Sequence, residues 1–318
     1  MNKSLELIEA HQDYHVDLVN SIDAAEEQVL LETMNIDNVD RMHDVLEACR
    51  RARKRGAYVV MLYDIYSYPT IGLKYGPLAL QRFNRHMKSL EEDGVDMVKV
   101  GGVEINPFAG RHHAKAVIAD SMVYAGGGIN LTDDSFDTRD YMFKFDDKSI
   151  ADKLFKTLPE LAQDRPEQAE IALDDQTNML VDGGVKNKSI ILDRAKDLAN
   201  RAQSLHYVSK LAPDGELRDI LAKKEVDYWY NSISSSGGFD KLAIMIDSPS
   251  VKDENLYKDS AMLHAKFLVG SMPDGTLEAI AGSHNFNSRG VEFGTQEIAF
   301  HTRDQAMCQR LLDFADSL

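Results

Sequence analysis

Two short stretches of the chain set a histidine and a lysine two residues apart, His113-Ala114-Lys115 and His264-Ala265-Lys266. On an extended strand such side chains share a face, so each imidazole stands beside an ammonium. That pairing suits a phosphate: the lysine neutralises charge while the imidazole attacks phosphorus or moves a proton. Ala114, Ala116 and Ile118, like Ala265, Phe267 and Val269, take the opposite face and read as core. His112 falls on that apolar face and reads as a structural or rim residue. One His-x-Lys carries little weight in a chain with 10 histidines. His86-Met87-Lys88 repeats the spacing, but in a helical pattern where residues two apart do not face each other. It is a decoy.

The other two copies agree well beyond those residues. HHAKAVIADSMVYAGGGIN aligns with LHAKFLVGSMPDGTLEAIAGSHN, each running from His-Ala-Lys through an apolar strand to a glycine turn and an asparagine. The second copy is four residues longer, all of them within the SMPDGT hairpin, where insertions are tolerated. Two matched copies point to a duplicated functional unit. The competing reading is a duplication whose histidines are merely buried and satisfied.

Alternating strands and helices must position these motifs. QVLLETMNI (28–36) and AYVVMLYD (57–64) have the apolar runs of buried strands, separated by a helical pattern that stops at Gly56. IYSYPTIGLKYGP reads as a loop, LALQRFNRHMKSLEEDG (78–94) as a helix and VDMVKV (95–100) as a strand. HHAKAVIAD, MVYAGG and YMFKFD supply three more strands, followed by a helix near 150–163. DRPEQAEIALDD (164–175) is polar and acidic and reads as a linker or the tail of that helix. Beyond it a helix near 189–203, a loop at 231–238, the strands KLAIMID, LHAKFLVG, LEAIAGS and QEIAFHT, and a C-terminal helix partly restart the pattern. The expected fold is α/β with two similar halves, 1–165 and 166–318, each a mixed β-sheet flanked by helices.

Composition narrows the function. Of 318 residues, 36 are basic and 52 acidic, a net charge of −16, which disfavours a protein built to grip nucleic acid. Cys49 and Cys308 are the only cysteines, so neither a disulfide framework nor a cysteine metal site is expected. The charged start MNKSLELIEAHQDYHVDLVN does not read as a secretory signal, and no run reaches membrane-spanning length. The expected address is the cytoplasm, peripheral contact with a membrane being compatible with it.

The paired motifs resemble the phospholipase D superfamily, whose signature is H-x-K-x4-D followed by a G-G/S-x-N turn, twice in one chain. His113, Lys115, Asp120, Gly127, Gly128 and Asn130 match the first copy, and Arg111 gives the R-x-H-x-K form of cardiolipin synthases. His264, Lys266, Gly282, Ser283 and Asn285 match the second. The family's downstream acidic position falls on Asp140 in RDYMFKF and on Glu297 in GTQEIAF. Ser271 stands where the second copy usually has aspartate. Seven residues from His264, it faces away from the histidine on a regular strand, so Asp120 and Ser271 are read as strand-end residues with structural duties.

The resemblance implies that the halves pack about a pseudo-twofold axis and bring both motifs into one cleft within one chain. One histidine then attacks phosphorus, giving a phosphohistidine, while the other protonates the leaving alcohol. Lys115, Lys266, Asn130 and Asn285 hold the non-bridging oxygens; Asp140 and Glu297 each hydrogen-bond a histidine. The first motif, the more complete copy, points to His113 as nucleophile and His264 as acid. No metal and no other cofactor is expected, since the lysines supply the positive charge. The expected partner is a phospholipid or other phosphodiester, consumed by hydrolysis or phosphatidyl transfer, with nucleic acid less favoured by the charge. A family endonuclease is the alternative enzyme, and a weakly active phosphate- or lipid-binding module the non-enzymatic alternative, resting on Ser271. The Tyr-rich segment (Tyr63, Tyr66, Tyr68, Tyr75) reads as a packed loop, with a lipid entrance as the competing role.

Overall fold

A computed structural model of the chain describes residues 6–11, 13–102, 109–231 and 255–318. The chain divides into two compact units. The first comprises Met1–Ala125, Ile129–Asp137 and Met142–Arg165; the second comprises Gly126–Gly128, Thr138–Tyr141 and Pro166–Leu318. Two short pieces of the first half thus belong to the second unit. The predicted loop at 231–238, beyond Asn231, and the predicted strand KLAIMID lie outside the described residues.

The first unit is built on β1 (Glu6–Glu9), β2 (Gln28–Thr33), β3 (Tyr58–Asp64), β4 (Asp96–Val100), β5 (Ala116–Ala119), β6 (Met122–Ala125) and β7 (Tyr141–Asp146). Their order in the sheet is β1-β7-β6-β5-β2-β3-β4. β2, β3 and β4 run parallel, while β5 runs antiparallel to β2 and β6. Around them lie α1 (Tyr14–Ala24), α2 (Asp40–Arg55), α3 (Ser67–Tyr75), α4 (Pro77–Glu92) and α5 (Lys148–Asp164). α2 buries Met42, Val45, Leu46 and Cys49, the stripe its spacing predicts. It ends at Gly56, whose φ of 111° is a conformation in which a side chain would be strained.

The second unit repeats the plan with β8 (Gln168–Ala172), β9 (Thr177–Gly183), β10 (Ser204–Val208), β11 (Glu225–Trp229), β12 (Phe267–Ser271), β13 (Leu277–Gly282) and β14 (Gln296–Thr302). Among the described residues their order is β11-β10-β12-β13-β14-β9-β8. Again a parallel pair, β10 and β11, adjoins an antiparallel motif strand, β12. Among the described residues its helices are α6 (Ile190–Arg201), α7 (Gly215–Leu221), α8 (Ser288–Phe293) and α9 (Gln305–Asp316). Leu180, Leu198, Leu205, Leu268 and Ile280 form part of the core between sheet and helices.

Three expectations need correction. The Tyr-rich segment is mostly helix α3, because Pro69 falls in its first turn, where proline is tolerated. Its Tyr63 is buried, with the hydroxyl 3.1 Å from that of Tyr68. The expected linker contains β8, an edge strand whose exposed and half-buried residues alternate and whose polarity is that of an edge. Finally, the motif strands begin later than expected. His113–Lys115 and His264–Lys266 lie outside regular secondary structure, just ahead of β5 and β12.

Candidate active site

In the first unit the approach to β5 is fastened by buried charge. Asp64, at the end of β3, accepts from the His112 amide at 2.6 Å and from the Arg111 guanidinium at 2.8 Å. Arg111 also donates to the carbonyls of Ala109 and Gly102. His112 is buried with its Nε2 3.0 Å from Glu32 Oε1. These contacts leave His113 half-buried and Lys115 buried, with the Lys115 ammonium 2.5 Å from the His113 carbonyl. The glycine turn ends at Asn130, whose Oδ1 receives the Asn35 amide at 3.4 Å. Thr33 steadies that turn by accepting from the Leu131 amide at 3.2 Å.

In the second unit the segment Thr138–Tyr141 is zipped to the motif by backbone. Arg139 bridges Leu263 in parallel, and its carbonyl accepts from the amides of His264 and Ala265. This register brings Asp140 Oδ2 to 2.7 Å from His264 Nδ1, both groups being buried. A carboxylate at Nδ1 favours the tautomer protonated there and leaves Nε2 for another partner. Lys266 donates to the His264 carbonyl, as Lys115 does to that of His113. A Cβ on Gly128 would lie 2.8 Å from Asp140 Oδ2 and 3.0 Å from Lys266 Nζ, so a side chain here would displace the carboxylate. Behind them Tyr141, Phe267 and Phe314 pack edge to face.

Burial drags the Lys266 pKa down to about 8; Asp140 counters, Lys210 lowers it further, and Glu297 pulls back up. Glu297 is buried and accepts from the Ser283 hydroxyl. Ser209 donates to the Asn285 carbonyl at 3.1 Å, as Thr33 serves the first turn. Among the described residues Asn285 Oδ1 is buried without a hydrogen-bond partner, a state that costs about 1–3 kcal/mol unless a ligand relieves it. Asp120, with φ 52°, closes the turn after β5 by accepting from the amides of Glu26, Glu27 and Gln28. Burial would raise its carboxyl, but those donors and Lys148 hold it below the usual carboxylate range. Ser271 ends β12 and offers its carbonyl to the Gln203 amide.

Asp140, His264, Lys266 and Glu297 are thus gathered in one unit, whereas His113, Lys115 and Asn130 belong to the other. Inspection of the sequence passed over Asp64, Asn231, Thr33, Ser209 and Lys210. Asp64 ends β3 and Asn231 lies two residues past β11, each strand being one removed from its motif strand in the sheet.

Residues 18–162 match the family model described as cardiolipin synthase, PLD-like domain. The likeness to a phospholipase D-like domain thus covers less than half of the chain. No curated protein sequence matches it. Among solved structures it is similar to phosphatidylserine synthase of Haemophilus influenzae Rd KW20, with 11% identity, 98% of this chain and 85% of that chain covered, and a TM-score of 0.73. It is also similar to polyphosphate kinase of Porphyromonas gingivalis, with 11% identity and a TM-score of 0.63 over 98% of this chain. There it spans 49% of the other protein. At such identity the likeness is one of fold. The match to a phospholipase D-like domain and the two His-x-Lys motifs of the sequence support phosphodiester chemistry of that type.

Proposed function

We propose that the chain cleaves phospholipid by phospholipase D-type chemistry, passing the phosphatidyl group to water or an alcohol. The observation that carries this reading is the buried Asp140–His264 pair, which equips one motif histidine for proton transfer. His113 attacks phosphorus. The bond to the leaving alcohol breaks as that oxygen takes the proton from His264. Water or an acceptor alcohol then gives its proton to His264, displaces the phosphohistidine and restores both imidazoles. Lys115, Lys266, Asn130 and Asn285 stabilise the non-bridging oxygens, and Glu297 is the second positioning carboxylate. The lysines supply the positive charge, so the reaction runs without a metal ion.

Substrate class rests on charge and surface. A net −16 does not suit a polyanion track, and Leu73 and Leu78, 82% and 68% exposed, flank Gly76 where α3 meets α4. We assign that corner to peripheral contact with a lipid surface. Among the described residues no helix is long and apolar enough to cross a membrane.

The deciding experiment incubates the protein with labelled phosphatidyl lipid, with and without glycerol, and with single-stranded DNA. Lipid turnover with an acid-labile, alkali-stable adduct on the His113 peptide is the expected result, the adduct accumulating in His264→Asn when the substrate has a good leaving group. DNA cleavage without lipid turnover makes the protein a nuclease, and adduct on the His264 peptide exchanges the two histidines' roles.

A further inference from the structure

α2 and α4 carry none of the motif side chains, yet a second constellation of chemistry-bearing groups spans them. His43 and Glu47 lie one turn apart on α2, so both project from the same side of that helix. His86, whose His-x-Lys spacing is the decoy of the sequence, comes from α4. The ligand atoms of these three side chains lie within 4.8 Å of one another. Glu47 Oε1 is 3.5 Å from His86 Nε2, and the two imidazole rings meet edge to face at 5.1 Å. His86 Nε2 is buried and has no hydrogen-bond partner among the described residues. A buried ring nitrogen of that kind normally finds a donor, an acceptor or a metal.

We propose that His43, Glu47 and His86 form a binding site for a first-row divalent transition metal such as zinc, which cross-links α2 to α4. Two imidazoles and one carboxylate select an ion of this borderline class over magnesium or calcium, which prefer all-oxygen shells. Metal bonds of about 2.0–2.2 Å require ligand atoms roughly 3–3.5 Å apart. The three groups must therefore draw in by about 1 Å, which the exposed His43 ring can do by side-chain rotation. Arg50 already holds the other carboxylate oxygen of Glu47, Oε2, at 3.2 Å and thereby orients Oε1 toward the histidines. Arg50 also reaches Ser89 and Asp93, and Arg53 reaches the Gly94 carbonyl at 2.8 Å, so the ion adds a stitch to a seam that is already closed. With three protein ligands the ion keeps at least one position for water. Its role is to stiffen the helix pair, and no step of phosphodiester cleavage passes through it.

The test uses the full chain without an affinity tag, stripped with chelator and dialysed. Equilibrium dialysis against zinc chloride should find one tightly held ion per chain, and cobalt(II) should develop visible absorption bands of a low-symmetry protein site. His43→Ala and His86→Ala should each weaken binding at least tenfold, with circular dichroism unchanged in the absence of metal. Zinc should raise the melting temperature of the wild type by several degrees and that of both variants by much less. Lipid turnover should be the same for stripped and zinc-loaded protein. No binding above background, or undiminished binding in both variants, overturns the site; loss of turnover on stripping, restored by zinc, overturns its structural role. Should His86→Ala fail to fold, His43→Ala, altered at an exposed position, decides alone.

Discussion

The two motif copies reach one geometry by different chemistry. Register makes the comparison strict: β2 pairs Glu32 with Ala116 and β10 pairs Val208 with Phe267, each partner lying three residues after its motif histidine. On the other side Glu32 faces Leu62 and Val208 faces Trp229, so Asp64 and Asn231 are the same position. Both accept the amide of the residue before the histidine, Asp64 from His112 at 2.6 Å and Asn231 from Leu263 at 2.9 Å. In the first copy the anchor is a carboxylate, clasped by Arg111, with the His112–Glu32 pair beside it. In the second it is a neutral amide that also donates to the Leu263 and Lys210 carbonyls, and Leu263 and Val208 take the places of His112 and Glu32. What both units require is a fixed backbone ahead of the histidine. Charge is one means to it, and burying ions without gaining much stability is its known weakness.

The largest test of the comparison is whether both copies are needed. His113→Ala and His264→Ala should each abolish detectable turnover while circular dichroism stays native; wild-type rates in either would reduce one copy to scaffold. Next in size, Asp140→Asn should keep the fold but lower kcat by roughly 10²–10⁴, since the His264 proton loses its anionic partner. A kcat within twofold of wild type would remove Asp140 from the mechanism.

Third comes a swap of chemistries. His112→Ala strands a buried Glu32 and should cost about 3–5 kcal/mol in denaturant unfolding, with kcat of the folded protein little changed. The double variant His112→Leu with Glu32→Val installs the second copy's residues and should regain most of that loss. If it unfolds as readily as the single variant, the first copy needs its ions for more than packing.

Much of this was legible in the sequence, and the part that was not has a physical reason. Asp140 and Glu297 are named by the family resemblance alone, while the motifs and the α2 stripe announce themselves through spacing. Asp64 and Asn231 do not, because their partners are backbone groups some 30 to 50 residues away, joined only when strands pair. The helix α3 was hidden by Pro69 and Gly72, two residues that usually break helices but here sit where neither harms it. β8 was hidden because an edge strand need not be apolar.

A subtler expectation is in the pH dependence. With its pKa near 8, Lys266 should give kcat/KM an alkaline limb around pH 8, flattened in Lys266→Arg, whose guanidinium keeps its charge. The stability sign is opposite: between about 8 and the ordinary 10.5 the unfolded chain holds a proton that the folded one sheds, so unfolding free energy rises with pH there. A flat profile through that range would mean the ammonium stays charged. The smallest effect concerns the ends of the two motif strands. Asp120→Ala should cost about 1–3 kcal/mol of stability through three unanswered amides, and Ser271→Asp should leave turnover within a factor of two. A marked rise in activity from Ser271→Asp would show that the second copy is impaired by its departure.

The pieces Gly126–Gly128 and Thr138–Tyr141 are encoded in the first half yet fold as part of the second unit. A gene cut after Arg165 would therefore give a C-terminal fragment that holds His264 but has lost the carboxylate that governs its proton. The duplicates are thus not free to drift apart. A substitution inherited by one half is felt at the histidine of the other, so selection reads the pair as a single hereditary unit.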